Sequence, residues 1–175
     1  MFSIYACKPA FQKSLQPLLQ LLIQMNISPN ALTVSAFLLS AFGGLLIWQC
    51  AQIQWVLLVL PVILLIRMAL NALDGLMARI CQRATPLGEI LNEVGDVVSD
   101  ACLYLPLFVW CHGVRPVEFL VVGFVLLGIL SEFCGVLSKA MTGNRRYDGP
   151  MGKSDRAFAV AMLCLGLFFC PALLQ

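Results

Sequence analysis

The sequence predicts an all-α integral membrane protein, a bundle of five transmembrane helices with an N-terminal amphipathic interfacial helix. Of its 175 residues, 61% are hydrophobic and 11% are charged, whereas a typical soluble domain is about 25% charged. Several apolar stretches are long enough to cross a hydrocarbon core of about 30 Å. These stretches are Ala31 to Cys50, Trp55 to Leu73, Ile90 to Trp110, Val117 to Val136 and Ala157 to Leu174.

Residues 1–28 form a separate amphipathic segment ahead of a membrane domain of catalytic type at residues 29–175. Glutamine stands at every fourth position from Gln12 to Gln24, which makes one polar stripe on a helix lying at the membrane surface. Pro17 either kinks this helix or marks its true start. The glutamines break the apolar run and no small-residue cleavage site follows, so we expect the segment to be retained rather than removed as a secretory signal.

The first span has a recognisable helix start and a pair of glycines in its second half. Ser28 can cap the helix, and Pro29 stands at the first helical position, where a missing N–H does no harm. Gly43 and Gly44 lack side chains, so another helix can approach closely at this level.

The second and third spans carry polar stripes. Arg67, Asn71 and Asp74 are spaced i, i+4 and i+7, so they share one face of the second helix. The third helix has an acidic side formed by Glu89, Glu93, Asp96 and Asp100, with Asn92 four residues before Asp96. An aspartate near the centre of a span costs roughly 2.5 to 3.5 kcal/mol, so these groups must face a cavity, a cation or one another. We expect Arg67 to form a buried pair with Asp100.

The basic residues fall on one side of this five-span arrangement. Lysine and arginine collect on the cytoplasmic side of short membrane loops, so the N-terminus is predicted to be cytoplasmic and the C-terminus outside. The residues on the cytoplasmic side are Lys8, Lys13, Arg79, Arg83, Lys139, Arg145, Arg146, Lys153 and Arg156, with only Arg115 opposite.

The eight cysteines are scattered singly, without a CxxC pair. They are interpreted as small apolar residues rather than zinc ligands. Cys50 and Cys111 both lie near the predicted outer surface, where a disulfide between them is conceivable.

Phosphoryl chemistry is one interpretation of the central polar stretch. The second and third helices are antiparallel neighbours, so Asp74 and Asp96 can meet at one depth and offer oxygen ligands to Mg²⁺, Mn²⁺ or Ca²⁺. Gly75 and Gly88 leave room at the rims, and Arg79 can contact phosphate. Alternatives are a polar network that seals the bundle, or ion transport along the acidic face. The basic loop before the fifth span either follows the topology rule or binds an anionic substrate.

The order of these residues resembles a known signature. Asp74-Gly75-x-x-Ala78-Arg79, eight residues, Gly88, three residues, Asn92, three residues and Asp96 is similar to the pattern of the CDP-alcohol phosphotransferase (CDP-alcohol phosphatidyltransferase) family. Pro29-Asn30-x-Leu32-Thr33 and Gly152-Lys153 resemble further family motifs. The Asn-Ala-Leu-Asp-Gly form is especially similar to an uncharacterised bacterial subgroup.

The resemblance implies an enzyme of phospholipid biosynthesis in the bacterial inner membrane. Such enzymes transfer a phosphoalcohol from a CDP-linked donor, commonly CDP-diacylglycerol, to an acceptor hydroxyl and release CMP at the cytoplasmic face. The resemblance implies a homodimer that binds membrane lipid and no nucleic acid. It assigns Mg²⁺ or Mn²⁺ to Asp74, Asp96, Asn71 and Asn92, and the role of base to Asp96. The implied nucleotide site is Asp74, Gly75, Ala78, Arg79 and Gly88, and our candidates for the acceptor or lipid phosphate are Arg145, Arg146, Lys153 and Arg156.

Two departures from the family pattern bear on activity. Asn71 and Asn92 stand where the signature has two of its four aspartates, which removes two negative charges from the implied metal site. The chain is therefore expected to be either a one-metal or altered-metal enzyme, or a degenerate relative that binds nucleotide or metal without turnover. Family members usually have six spans, so a chain with five is expected to be a shortened gene product.

Overall fold

The computed structural model describes residues 8–51, 53–111, 117–143 and 151–170. Within these ranges the chain forms helices and no strands. The helices are α1 Lys8–Ser14, α2 Gln16–Gln24, α3 Pro29–Gln49, α4 Val56–Ile80, α5 Pro86–Tyr104, α6 Leu107–Trp110, α7 Val117–Thr142 and α8 Lys153–Phe169.

The predicted all-α membrane class is confirmed. Helices α3, α4 and α7 are long and apolar enough to cross a membrane. The other two predicted spans correspond to α5 with α6, and to α8. Helix α5 carries four carboxylates, and α8 has 17 residues, so neither has the length and composition of a simple apolar span. Both nevertheless pack within the bundle, α5 against α3 and α7, and α8 against α4.

The boundaries of the central spans differ from those predicted. Helix α4 continues past Leu73 to Ile80, so the whole Asp74 to Arg79 motif is helical. The third predicted span, Ile90 to Trp110, is interrupted between α5 and α6, where Pro106 lacks the N–H that a continuous helix needs. Helix α5 also begins earlier than predicted, because the Thr85 hydroxyl caps it by accepting a hydrogen bond from the Gly88 N–H at 3.0 Å.

The N-terminal segment forms two short helices instead of the single predicted one. Pro17 lies in the first turn of α2, so it marks a helix start. Leu19 of α2 is buried in a cluster with Leu32, Leu73 and Met77. This cluster fixes α2 beside the first turns of α3 and the last turns of α4.

Helices α3 and α5 are in very close contact at Gly44. An ideal Cβ built on Gly44 would lie 1.9 Å from the carbonyl oxygen of Cys102. This confirms the predicted close approach at the glycine pair. The main apolar core surrounds this level and includes Leu60, Leu103 and Tyr104. The opposite end of the bundle is the polar one. Ser28 caps α3 as predicted, accepting a hydrogen bond from the Ala31 N–H at 3.2 Å.

Cys50 and Cys111, for which a disulfide was considered from the sequence, are free thiols.

Candidate active site

A cavity of about 1230 Å³ lies among the bundle helices, toward the polar end. One part of its wall is polar and includes Asn71, Asp74, Arg79, Asn92 and Lys153. Another part is apolar and is formed by Pro61, Leu64, Leu65, Met68 and Ala161. The cavity therefore offers an amphiphilic ligand both charged groups and a hydrocarbon surface.

Asp74 is a buried carboxylate, and only one of its two oxygens accepts hydrogen bonds. It is 3% exposed, and its Oδ2 accepts hydrogen bonds from the Thr33 hydroxyl at 2.8 Å and from the Asn92 amide at 3.1 Å. Its Oδ1 is buried without a hydrogen-bond partner. A buried acceptor left unsatisfied is unfavourable by roughly 1 to 3 kcal/mol, and more when it is charged. Oδ1 is thus a position that favours a bound cation or donor.

Asp96 is equally buried, but both of its oxygens accept hydrogen bonds. Oδ1 accepts from the Asn71 amide at 2.5 Å and from the Arg67 guanidinium at 3.4 Å. Oδ2 accepts from the Lys153 ammonium at 2.6 Å. The Lys153 side chain is 36% exposed and borders the cavity, whereas Asp96 is 3% exposed and does not border it. Asp96 therefore lies behind cavity-lining residues that include Lys153 and Asn71.

A chain of buried ion pairs adjoins the cavity, which Arg67 and Glu132 of this chain border. Arg67 pairs with Asp100 and also donates to the Asp96 carbonyl oxygen at 3.1 Å. Asp100 accepts on its other oxygen from Arg156, at 2.9 and 3.1 Å, and Arg156 donates to Glu132 at 2.7 Å. The predicted Arg67–Asp100 pair is confirmed. Because these residues come from α4, α5, α7 and α8, the network fixes those four helices relative to one another.

The residues predicted to line a nucleotide site all border the cavity. A Cβ built on Gly75 would meet nothing within 4 Å, so this side of α4 is open. A Cβ on Gly88 would instead lie 2.9 Å from the Asn30 amide oxygen, so this glycine allows the close approach of α3 and α5. Arg79 donates through Nε to the Gly75 carbonyl at 3.0 Å, which holds the start of its side chain against α4.

The predicted phosphate-binding residues lie in different surroundings. Lys153 borders the cavity. Arg156 is 2% exposed, bonds to two carboxylates and is absent from the cavity wall, so the structure places it in the buried network. Arg145 and Arg146 lie outside the described residues.

Sequence reasoning did not assign site roles to Thr33 and Glu132. Thr33 contacts Asp74 across 41 positions of sequence. Its only signal was its place in the Pro29-Asn30-x-Leu32-Thr33 pattern. Glu132 is an acid inside an apolar helix, and this could have suggested a buried cation partner.

The fold and the site define a class: a multi-pass membrane protein in which the signature residues other than Asp96 border an amphiphilic cavity. The family model described as CDP-alcohol phosphatidyltransferase matches residues 26–174. The chain belongs to this family.

Curated relatives agree with this assignment. The chain is 43% identical over 173 residues to the Escherichia coli protein named "Inner membrane protein YnbA", covering 99% of this chain and 84% of that one. It is 22% identical over 165 residues to a phosphatidylinositol phosphate synthase of Mycolicibacterium smegmatis, covering 94% and 72% of the two chains. It is 27% identical over 100 residues to an archaetidylinositol phosphate synthase of Aeropyrum pernix, covering 57% and 50%.

Proposed function

We propose that the chain transfers a phosphoalcohol, the phosphatidyl group of CDP-diacylglycerol, to an acceptor hydroxyl and releases CMP. The observation that carries this proposal is the convergence of the signature residues on one cavity: Asp74, Gly75, Ala78, Arg79 and Gly88 all border it. Family membership supplies the reaction class.

The shape of the cavity supports a lipid-linked donor. Its apolar wall runs along the middle turns of α4 and includes Leu64, Leu65 and Met68, which suits acyl chains. Its polar wall, with Arg79 and Lys153, suits the charged diphosphate and nucleotide. A donor that carries both acyl chains and a charged diphosphate would contact the apolar and the polar wall at once.

The site residues fit a divalent cation at Asp74. The unpartnered Oδ1 of this buried carboxylate is a hard oxygen ligand. Asn92, which donates to the other Asp74 oxygen, can present its own amide oxygen after a turn of its side chain. A bound Mg²⁺ or Mn²⁺ would offset negative charge on the donor diphosphate.

Asp96 is the proposed base. Its carboxylate takes the proton of the acceptor hydroxyl, whose oxygen then forms a bond to the donor phosphorus. The bond from that phosphorus to the CMP oxygen breaks, and CMP leaves with the electron pair. Lys153, 2.6 Å from Asp96 Oδ2, holds this carboxylate in an ion pair and contacts an anionic acceptor from the same position.

We further propose that the protein lies in a bacterial inner membrane and that the site opens to the cytoplasm. Arg79, Arg83, Lys139 and Lys153 all border the cavity, and basic residues mark the cytoplasmic side of membrane proteins. The homodimer implied by the family resemblance stays a prediction.

CMP release tests the proposal. Purified full-length protein in nanodiscs would receive CDP-diacylglycerol and a panel of acceptors that includes glycerol 3-phosphate, inositol phosphate and serine. We expect acceptor-dependent CMP release with Mg²⁺ or Mn²⁺ and loss of release with EDTA or in Asp74→Asn. Glu118→Gln is the matched control, because it makes the same change of a carboxylate to an amide in the first turn of α7, at a residue that does not border the cavity. Metal-independent release that Asp74→Asn leaves unchanged would reject the mechanism.

The alternative function is an inactive relative that binds nucleotide and cation for a partner. The observation that favours it is that both oxygens of Asp96 are engaged by neighbouring side chains. It predicts that CDP with Mn²⁺ raises the melting temperature while none of the acceptors supports CMP release.

A further inference from the structure

We propose that this chain holds a single divalent cation, at Asp74, and that the ammonium group of Lys153 takes the place of a second cation at Asp96. The inference deepens the proposed function, because it specifies how the site offsets the charge of a diphosphate donor. It concerns binding, however, so it is tested separately from turnover.

The two signature aspartates differ in their hydrogen-bond partners. Both are 3% exposed, and both lie at the polar end of the bundle. Asp74 retains an unpartnered buried oxygen, and its hydrogen-bond donors, Thr33 and Asn92, are neutral. Asp96 has no such oxygen, and two of its three side-chain donors, Arg67 and Lys153, are cations. Only Asp74 is thus prepared for a further positive charge.

The hydrogen-bonded network contains one more carboxylate than it contains cations. The carboxylates joined by the hydrogen bonds described above are Asp74, Asp96, Asp100 and Glu132, and the cations are Arg67, Lys153 and Arg156. Asp96, Asp100 and Glu132 each contact at least one of these cations. Of these four carboxylates, only Asp74 contacts none of the three cations, so the excess negative charge of this hydrogen-bonded set lies at Asp74, where a cation would bind.

The side-chain amides of Asn71 and Asn92 each contact one of the two aspartates. Asn71 donates to Asp96 and Asn92 donates to Asp74, so each amide stabilises one carboxylate without adding charge. An aspartate at either position would place two carboxylates in contact, which is stable only with a shared cation or proton. Asn71, Asn92 and Lys153 consequently belong together as the side chains of a site built for one cation.

Mn²⁺ titration of the full-length protein tests the inference. Protein in phosphatidylcholine nanodiscs would be titrated with Mn²⁺, and free Mn²⁺ measured by electron paramagnetic resonance. We expect one bound Mn²⁺ per chain, and binding at least tenfold weaker in Asp74→Asn. Lys153→Arg, which keeps the positive charge, should also bind one. The triple variant Asn71→Asp, Asn92→Asp, Lys153→Gln should bind two.

Several results would overturn the inference: zero or two Mn²⁺ bound by the unchanged chain, a single Mn²⁺ bound by the folded triple variant, or unweakened binding in Asp74→Asn. If the triple variant does not fold, the unchanged chain and Asp74→Asn still decide whether a single cation binds at Asp74. Lys153→Gln then decides the part played by Lys153: a second bound Mn²⁺ supports it, and a single bound Mn²⁺ overturns it. CMP release measured on the same samples separates the two proposals. One bound Mn²⁺ without turnover rejects the proposed function alone, and two bound Mn²⁺ with turnover rejects this inference alone.

Discussion

Replacing Gly44 by alanine should strongly destabilise the bundle. The new Cβ would lie 1.9 Å from the carbonyl oxygen of Cys102, whereas ordinary contacts begin at 3.4 Å. Helix α3 or α5 would therefore have to move by about 1.5 Å at this level, because a backbone oxygen cannot be relieved by a rotamer change. Overpacking typically costs about 1 to 3 kcal/mol. We expect the upper end, about 3 kcal/mol, or a more than 100-fold change in the unfolding equilibrium constant.

Reversible unfolding in mixed micelles measures this cost through tryptophan fluorescence. The matched control is Gly123→Ala on α7, where a new Cβ meets nothing within 4 Å. That change should be neutral, or stabilising by up to about 1 kcal/mol, since alanine favours helix more than glycine does. Equal unfolding free energies for Gly44→Ala and Gly123→Ala would refute the close contact between α3 and α5.

Three further predictions concern charge and capping. Arg156→Met should lower the unfolding free energy by about 3 to 5 kcal/mol, because it removes the buried cation that Asp100 and Glu132 share. Lys139→Met, in an exposed pair, should cost less than about 1 kcal/mol in the same unfolding assay. The double variant Asn71→Asp, Asn92→Asp should melt at a lower temperature than the unchanged chain in EDTA and recover with Mn²⁺, and a melting curve insensitive to Mn²⁺ would contradict this. Ser28→Ala should cost about 1 kcal/mol by loss of the α3 cap, again read from unfolding.

Local sequence patterns predicted much of the fold. The spacing of Arg67, Asn71 and Asp74 placed them on one helix face, and the buried pair of Arg67 with Asp100 follows from that placement. Gly44 indicated close helix packing because small residues let backbones approach. These predictions succeeded because helical periodicity and residue size act over a few turns.

Contacts between residues far apart in the sequence were harder to predict. Lys153 lies 57 positions from Asp96, and its pairing depends on how α8 packs into the bundle. Arg156 was predicted to contact phosphate because it lies in the basic segment before the fifth span, but the structure surrounds it with carboxylates from α5 and α7. Composition gives the charge of a residue, whereas its partner is decided by tertiary packing.

The central claim is that Asp96 acts as the base in a CMP-releasing transfer. The most direct test compares the unchanged chain with Asp96→Asn at saturating CDP-diacylglycerol and acceptor, with CDP binding measured on the same samples. A general base contributes roughly 100- to 10,000-fold to rate, so CMP release should fall at least about 100-fold while CDP affinity changes less than about threefold. CMP release by Asp96→Asn at the rate of the unchanged chain would contradict the claim.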